Sequence, residues 1–352
     1  MSRNIWLAVI TLLAVVATGC TPSKTSLSLG TETPNQSSPT PTVSPLQEAD
    51  IFDQTPVTVP ADKAITLIAT GDVLTARTVN QKNTQKNDFT WPFHQTADIL
   101  KSADLTFINL ETPLTPECPV ITNRMVFCGD EKSVEGLLFA GIDVVNFANN
   151  HAGNQGQEGV DNTTSLLRRN NFLVTGVDGP TYAEVKGTKI AFLGYNAVDN
   201  QPGVAKAEPG LIKREVATAR ANADIVVVAF HWGHEYTYRP SALQSDLAHL
   251  AIDEGADLII GHHPHWFQRV EMYKDKLIMY SHGNFVFDQM WSQETREGIV
   301  GKYVFYDNQL VDVEFMPVLI EDYGQPRWLE GTEKDRLLEI LEKESKDTST
   351  QN

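Results

Sequence analysis

Ile225-Val226-Val227-Val228-Ala229-Phe230 is the most apolar run that reads as a strand, and it ends abruptly in His231-Trp232-Gly233-His234-Glu235. A run this uniformly apolar fits a strand covered on both faces. The same design recurs along the chain. Residues 65–69 run into Thr70-Gly71-Asp72, and residues 105–108 into Asn109-Leu110-Glu111. Residues 144–147 lead to Asn149-Asn150-His151, and 258–260 to Gly261-His262-His263-Pro264-His265. Further strands are predicted at 172–177 and 190–194. Helices are predicted at 96–102, 133–140 with Gly141 as the stop, 159–170, 242–254, and one ending over 217–223. Beyond residue 265 the helix signals fade. Residues 270–280 and 302–315 read as hairpins, and 333–343 as a terminal amphipathic helix before a polar tail. The alternation predicts a layered α/β domain with a largely parallel sheet and a β-rich C-terminal part. Ligands of such sheets bind beyond the carboxyl ends of the strands. Here Asp, Glu, Asn and His gather at those ends.

Lys and Arg total 28 against 45 Asp and Glu, a net charge of −17. This argues against nucleic-acid binding and against docking to anionic lipid through a basic patch. The N-terminus reads as a lipoprotein signal peptide over residues 1–19. Arg3 is followed by an apolar run too short to span a bilayer, then by Ala17-Thr18-Gly19-Cys20. Cleavage before Cys20 and its lipidation would anchor the mature chain to the membrane on the extracytoplasmic side. Residues 20–60 read as a Ser/Thr/Pro-rich tether, 61–330 as the folded domain, and 331–352 as a C-terminal helix and tail. An oxidising compartment permits a disulfide between Cys118 and Cys128 that closes a small loop. Neither has a nearby Cys or His at zinc-ligand spacing.

The strand-end residues suit metal chemistry. His263 and His265 lie two apart, so in an extended loop both face one side, and Pro264 stiffens the turn. Each other residue has a plainer reading beside the functional one. His231 is a ligand or a satisfied core histidine. Asp72 is a ligand or a turn residue. Glu111 is a carboxylate bridging two cations or a loop carboxylate, and His151 is a ligand or part of a polar turn. Glu235 is a ligand, a general base or a partner to a ligand, or else a solvated carboxylate; His234 reads as exposed. Arg77 pairs with phosphate or carboxylate through its planar fork, or forms a structural ion pair. Asn284 and Asp288 line a cleft or belong to a turn with packing aromatics. Mixed nitrogen and oxygen ligation suits Zn, Mn or Fe, as one or two ions, better than calcium.

These segments, with Arg77, Glu235-Tyr236 and Gly283-Asn284-Phe285-Val286-Phe287-Asp288, resemble the CapA family of capsule-biosynthesis proteins, named for its role in poly-γ-glutamate capsules. The likeness covers about residues 64 to 290. That family is similar in turn to the calcineurin-like metallophosphoesterases, which implies a four-layer α/β sandwich with a two-metal site. By this resemblance Asp72, Glu111, Asn150, His231, His263 and His265 match metal ligands, and His151 matches the catalytic histidine. Leu74 stands where the phosphoesterases have a histidine, and Glu111 where they have a bridging aspartate.

The expected function is a membrane-anchored protein of poly-γ-glutamate capsule biosynthesis. As a hydrolase or transferase it would use metal-bound hydroxide, with His151 and Glu235 catalytic and Arg77, Asn109 and Asn284 binding substrate. The alternative is a non-catalytic envelope protein that binds, tethers or helps export the anionic polymer. Expected partners are the membrane through Cys20, the polymer or another envelope substrate, and membrane capsule-synthesis proteins. A chain of charge −17 repels a polyanion in bulk, so contact would centre on a metal or Arg77.

Overall fold

Side-chain alternation along β1 (Ile65–Val73) sets the layers. Ile65, Leu67 and Ala69 face one apolar cluster and Ile68 faces another. The computed structural model describes residues 43–52, 57–116 and 118–347. After β1 come α1 (Arg77–Lys86), α2 (Ala97–Leu100), β2 (Leu105–Leu110), β3 (Leu114–Thr115), β4 (Gly129–Asp130), α3 (Ser133–Ala140), β5 (Val144–Asn146), α4 (Gly156–Arg169) and β6 (Leu173–Thr175). Then follow β7 (Thr181–Val185), β8 (Thr188–Asn196), α5 (Pro209–Arg220), β9 (Ile225–His231), α6 (Ala242–Asp253) and β10 (Leu258–His262). The C-terminal part holds β11 (Val270–Tyr273), β12 (Lys276–Met279), β13 (Asn284–Val286), β14 (Glu297–Tyr306), β15 (Gln309–Glu321), β16 (Gln325–Trp328) and α7 (Gly331–Lys346).

The first sheet runs β16-β15-β14-β1-β2-β5-β6, with β13 also paired to β1. Its β1, β2, β5 and β6 are parallel. The second sheet runs β11-β12-β10-β9-β8-β7, with β8, β9, β10 and β12 parallel. Leu67, Phe107 and Val144 from the first sheet share a core with Phe192, Val227 and Ile260 from the second. The outer face of the first sheet packs Ile68, Ile108 and Val145 on Leu137 of α3 and Leu167 of α4. That of the second packs Val226, Val228 and Ile259 on Val216 of α5 and Leu247 of α6. Helix, sheet, sheet, helix is the four-layer α/β sandwich; the strand-rich C-terminal part supplies most of the antiparallel strands, and β7, paired antiparallel with β8, supplies the other.

Several boundaries move. The helix read at 96–102 shrinks to the four residues of α2, and the one read to residue 223 ends at Arg220. Helix α1 has no counterpart in the sequence reading. Its sequence, RTVNQKNTQK, carries one aliphatic side chain, and it buries Asn80 and Asn83 beside Val79. That leaves no apolar stripe to read. The polar tether read to residue 60 also stops short. Leu46 and Ile51 are buried in the core between the sheets, and the Leu46 N–H donates to the Leu310 carbonyl. Cys20 and the signal sequence lie outside the described residues. Among the described residues no helix is long and apolar enough to cross a membrane.

Candidate functional site

Two sheets end at one place. Asp72 lies near the end of β1, Asn109 lies in β2 with Glu111 just past its end, and His231 closes β9. Asp72, Glu111 and His231 each offer a ligand atom within 4.8 Å of the others, and all three are fully buried. Gly71 makes the approach feasible, because a Cβ there would lie 2.2 Å from the Gly283 carbonyl oxygen. β1 pairs in register with β13 at Asp72 and Asn284, and its register shifts between Asp72 and Val73. Such a bulge re-aims the side chain at the strand end.

Asn109 organises the triad. Its amide nitrogen donates to Asp72 Oδ1 at 2.8 Å and lies 3.2 Å from His231 Nδ1. Its oxygen accepts from Asn146 at 2.9 Å and Asn149 at 3.5 Å. Asn109 is thus saturated and fully buried, a positioning residue where a substrate contact was expected. Asn150 joins by its Oδ1, 2.8 Å from His231 Nε2. Asp72 Oδ2 accepts from the His263 backbone N–H at 3.1 Å.

His263 and His265 do converge, with ring centroids 6.0 Å apart, and the His263 ring is 4.8 Å from that of His231. The route differs from the extended loop expected. Both have positive φ, 96° and 58°, a conformation costing non-glycine residues roughly 1–2 kcal/mol each. The surrounding packing and the Asp72 bond offset it. His265 Nδ1 lies 3.6 Å from Asp72 Oδ2 and 2.9 Å from Asn284 Oδ1. Asn284 donates onward to Gln289 and the Thr295 carbonyl. Asn284 is therefore a buried brace for His265, where substrate contact was expected.

His151 occupies the opposite flank, its Nε2 3.8 Å from Glu111 Oε1. Asn154 Oδ1 accepts from the Phe127 backbone N–H at 2.5 Å and lies 2.9 Å from His151 Nδ1. That oxygen can only accept, so Nδ1 carries the proton and Nε2 presents its lone pair. Phe127 stacks on the imidazole at 3.8 Å. Cys118 and Cys128 are joined by a disulfide that closes the loop carrying Phe127. Arg77 forms a buried ion pair with Asp288. His234 and Glu235 are exposed. Asn146, Asn154 and Phe127 were not singled out in the sequence. Asn146 carried a signal, as a polar residue closing an apolar strand, whereas Phe127 and Asn154 carried none.

The electrostatics divide the carboxylates. Burial alone would raise Asp72, but the adjacent His265 imidazole, the positive potential of His262, and the Asn109 amide hold it below its usual value. Glu111 is pushed well above the usual range by burial, then by the charges of Asp72 and Glu235. Burial holds His231 well below its ordinary value and takes His263 down to about 3 and His151 to about 4. Among the described residues both Glu111 oxygens and His263 Nδ1 are buried without a hydrogen-bond partner. Such orphaned polar atoms are rare in folded proteins. With Asp72 and His231 they form a nitrogen and oxygen donor set that fits a divalent transition metal.

The sequence model of the family described as bacterial capsule synthesis protein PGA_cap matches residues 66–289. The capsule biosynthesis protein CapA of Bacillus anthracis is 30% identical over 318 residues, covering 84% of this chain and 76% of that protein. The PGA biosynthesis protein CapA of Bacillus subtilis (strain 168) is 32% identical over 287 residues, covering 74% and 73%. Among solved structures, a hypothetical protein from Thermus thermophilus aligns with a TM-score of 0.49 at 16% identity, over 72% of this chain and 98% of that one.

Proposed function

The chain belongs to the bacterial capsule synthesis protein family PGA_cap, and from that premise we propose that it is a membrane-anchored, extracytoplasmic, metal-dependent hydrolase or transferase acting on poly-γ-glutamate or an envelope intermediate of its synthesis. The observation that carries this reading is Glu111. Its two oxygens are fully buried, have no hydrogen-bond partner, and lie beside a second buried carboxylate, Asp72. Two unsolvated carboxylates together cost several kcal/mol each unless a cation accompanies them. Asp72, Glu111, Asn150 and His231 would hold a Zn, Mn or Fe ion, with His263 and His265 beside them. Such an ion supplies Lewis acidity and lowers the pKa of water toward neutrality.

The chain's own residues do the rest. Asn109 fixes the directions of Asp72 and His231, and Asn284 fixes His265. His151, neutral at neutral pH with Nε2 free, takes the proton that the attacking hydroxyl nucleophile releases and passes it to the leaving group. Its Nδ1–H bond to Asn154 holds that tautomer. Glu235 stands at the exposed rim as a carboxylate relay, and Arg77 presents a cation to an anionic substrate.

A second reading has one observation in its favour. Leu74 is fully buried in an apolar cluster with Ala76, Phe127, Phe287 and Ile320, so packing fills the position that carries a ligand histidine in the phosphoesterases. Fewer ligands suit one ion, and suit a polymer-binding or polymer-exporting role without turnover.

Elemental analysis of the full chain, purified without a metal-binding tag, tests the site. Wild type is expected to hold near-stoichiometric Zn, Mn or Fe, and Glu111→Gln and His231→Gln to lose it; equal metal in all three sinks the assignment. Shortening of γ-linked polyglutamate by the metal-loaded chain, abolished in His151→Ala, supports turnover. Retention of the polymer without cleavage supports the second reading. Cys20→Ser is expected to shift the chain from the membrane pellet to the soluble fraction, and unchanged fractionation would refute lipid anchoring.

A further inference from the structure

The loop closed by Cys118 and Cys128 does more than cover His151. Between it and the first residue of α1 lies a cavity of about 190 Å³, lined by Arg77, Arg124, Ile121, Val126, Phe127 and Gln155 among others, with no acidic residue in the lining among the described residues. Arg77 is nearly buried, its side chain 9% exposed, with its guanidinium 4.8 Å over the Phe127 ring and 5.6 Å over that of Phe287. A guanidinium offers five N–H donors. Asp288 takes Nη2, and the other Asp288 oxygen accepts from the Thr78 backbone N–H. Among the described residues Nη1 meets only the thioether of Met125 at 3.6 Å, a weak acceptor, and Nε has no partner. A buried cation that lines the cavity and keeps unused donors has capacity for a second anion. Arg124, exposed on the loop, supplies a second positive charge to the same cavity. Phe127 borders both this cavity and His151.

We propose that this cavity is an anion subsite, in which Arg77 and Arg124 grip one carboxylate side group of a polyanionic substrate while the neighbouring linkage lies at His151. The proposal deepens the functional reading above and rests on it for the substrate class. Planar carboxylates match the guanidinium fork in two-point contacts. The volume suits one short side group rather than a chain segment. Local cations are also what a chain of net charge −17 requires in order to hold a polyanion at all. The disulfide keeps Arg124 opposite Arg77 by closing the loop that carries it.

The test is calorimetric binding of γ-linked hexaglutamate to the full chain, with the hexamer of γ-linked glutamine as the neutral control. Arg124 is exposed, so its variants leave the core intact. Arg124→Ala is expected to weaken hexaglutamate binding about fivefold, and Arg124→Glu by about 20-fold or more, with the glutamine oligomer bound weakly by all. Cys118→Ser with Cys128→Ser is expected to match Arg124→Ala. Equal affinities across wild type and both Arg124 variants overturn the subsite. So does a glutamine oligomer bound as tightly as hexaglutamate, or no binding by wild type. Displacement of hexaglutamate by inorganic phosphate at far lower concentration than by glutarate would overturn the carboxylate assignment. Metal content of the same samples reads the other proposal separately. Metal retained with discrimination lost defeats only the subsite, and discrimination retained without metal defeats only the metal centre.

Discussion

Two walls of the same site obey different rules. On one, Asn109 engages Asp72, His231, Asn146 and Asn149, and nothing is left over. On the other, both oxygens of Glu111, Nδ1 of His263 and Nε of Arg77 are buried without partners. Unsatisfied buried polar atoms are expensive, and a group of them facing one site is what a ligand from outside the chain would complete. The first wall is scaffold. The second is where a cation and an anionic ligand would meet the protein.

The largest effect is expected from breaking the saturated wall. Asn109→Leu removes the donor of a buried, ionised Asp72 and should destabilise the metal-free chain by about 3 kcal/mol or more in urea unfolding. A loss below about 1 kcal/mol would mean that Asn109 is not the organiser.

An intermediate effect concerns His282, which is fully buried and fully partnered. Its Nδ1 lies 2.6 Å from the Ile299 carbonyl and its Nε2 3.2 Å from the Tyr303 hydroxyl. Nδ1 must donate to the carbonyl, so in the neutral ring Nε2 accepts from the Tyr303 hydroxyl. Burial, then the neighbouring His262, takes it from 6.5 down to about 3. The unfolded chain takes up this proton below about pH 6.5 while the native chain does not, so stability falls as pH drops through that window. His282→Gln should remove about 2 kcal/mol of the fall between about pH 7 and pH 5. An unchanged slope in unfolding measured across that range would contradict the assignment.

The smallest effect is expected on the unsaturated wall. Glu111 has its folded value raised, so the folded state holds a proton that the unfolded state releases. Its contribution therefore declines as pH rises above about 4.5, the unfolded value. Glu111→Gln abolishes that decline. At about pH 7 the metal-free variant should match wild type within about 1 kcal/mol or exceed it, although it no longer binds metal. A variant much less stable than wild type would place Glu111 on the scaffold side and erase the contrast.

Much of this was legible in the chain itself. The apolar runs ending in Asp72, Glu111, His231 and His262 marked strands whose carboxyl ends carry the site, because side-chain period and run length are local properties. Gly141, read as a helix stop, is the left-handed cap of α3. Helix α1 was not legible, since its buried face is made largely of asparagines. Leu46 and Ile51 were hidden within a polar, proline-rich stretch.

The residue types at the strand ends, the acidic balance and the order of the motifs are set by composition and spacing, and they sufficed for the layered α/β class and the family resemblance. Tertiary structure alone decided which of those residues meet, and in what roles. Asn109 reaches His231 across 122 positions and Asp72 reaches His263 across 191, contacts that exist only once the two sheets stack. The same stacking turned Asn109 and Asn284 from expected substrate contacts into braces, and the pairing of β13 with β1 inside the first sheet brought Arg77 to Asp288, 211 positions away. Local pattern specifies elements because each element satisfies its own backbone. Which polar atoms are left unsatisfied, and so available to a ligand, is a property of the whole packing.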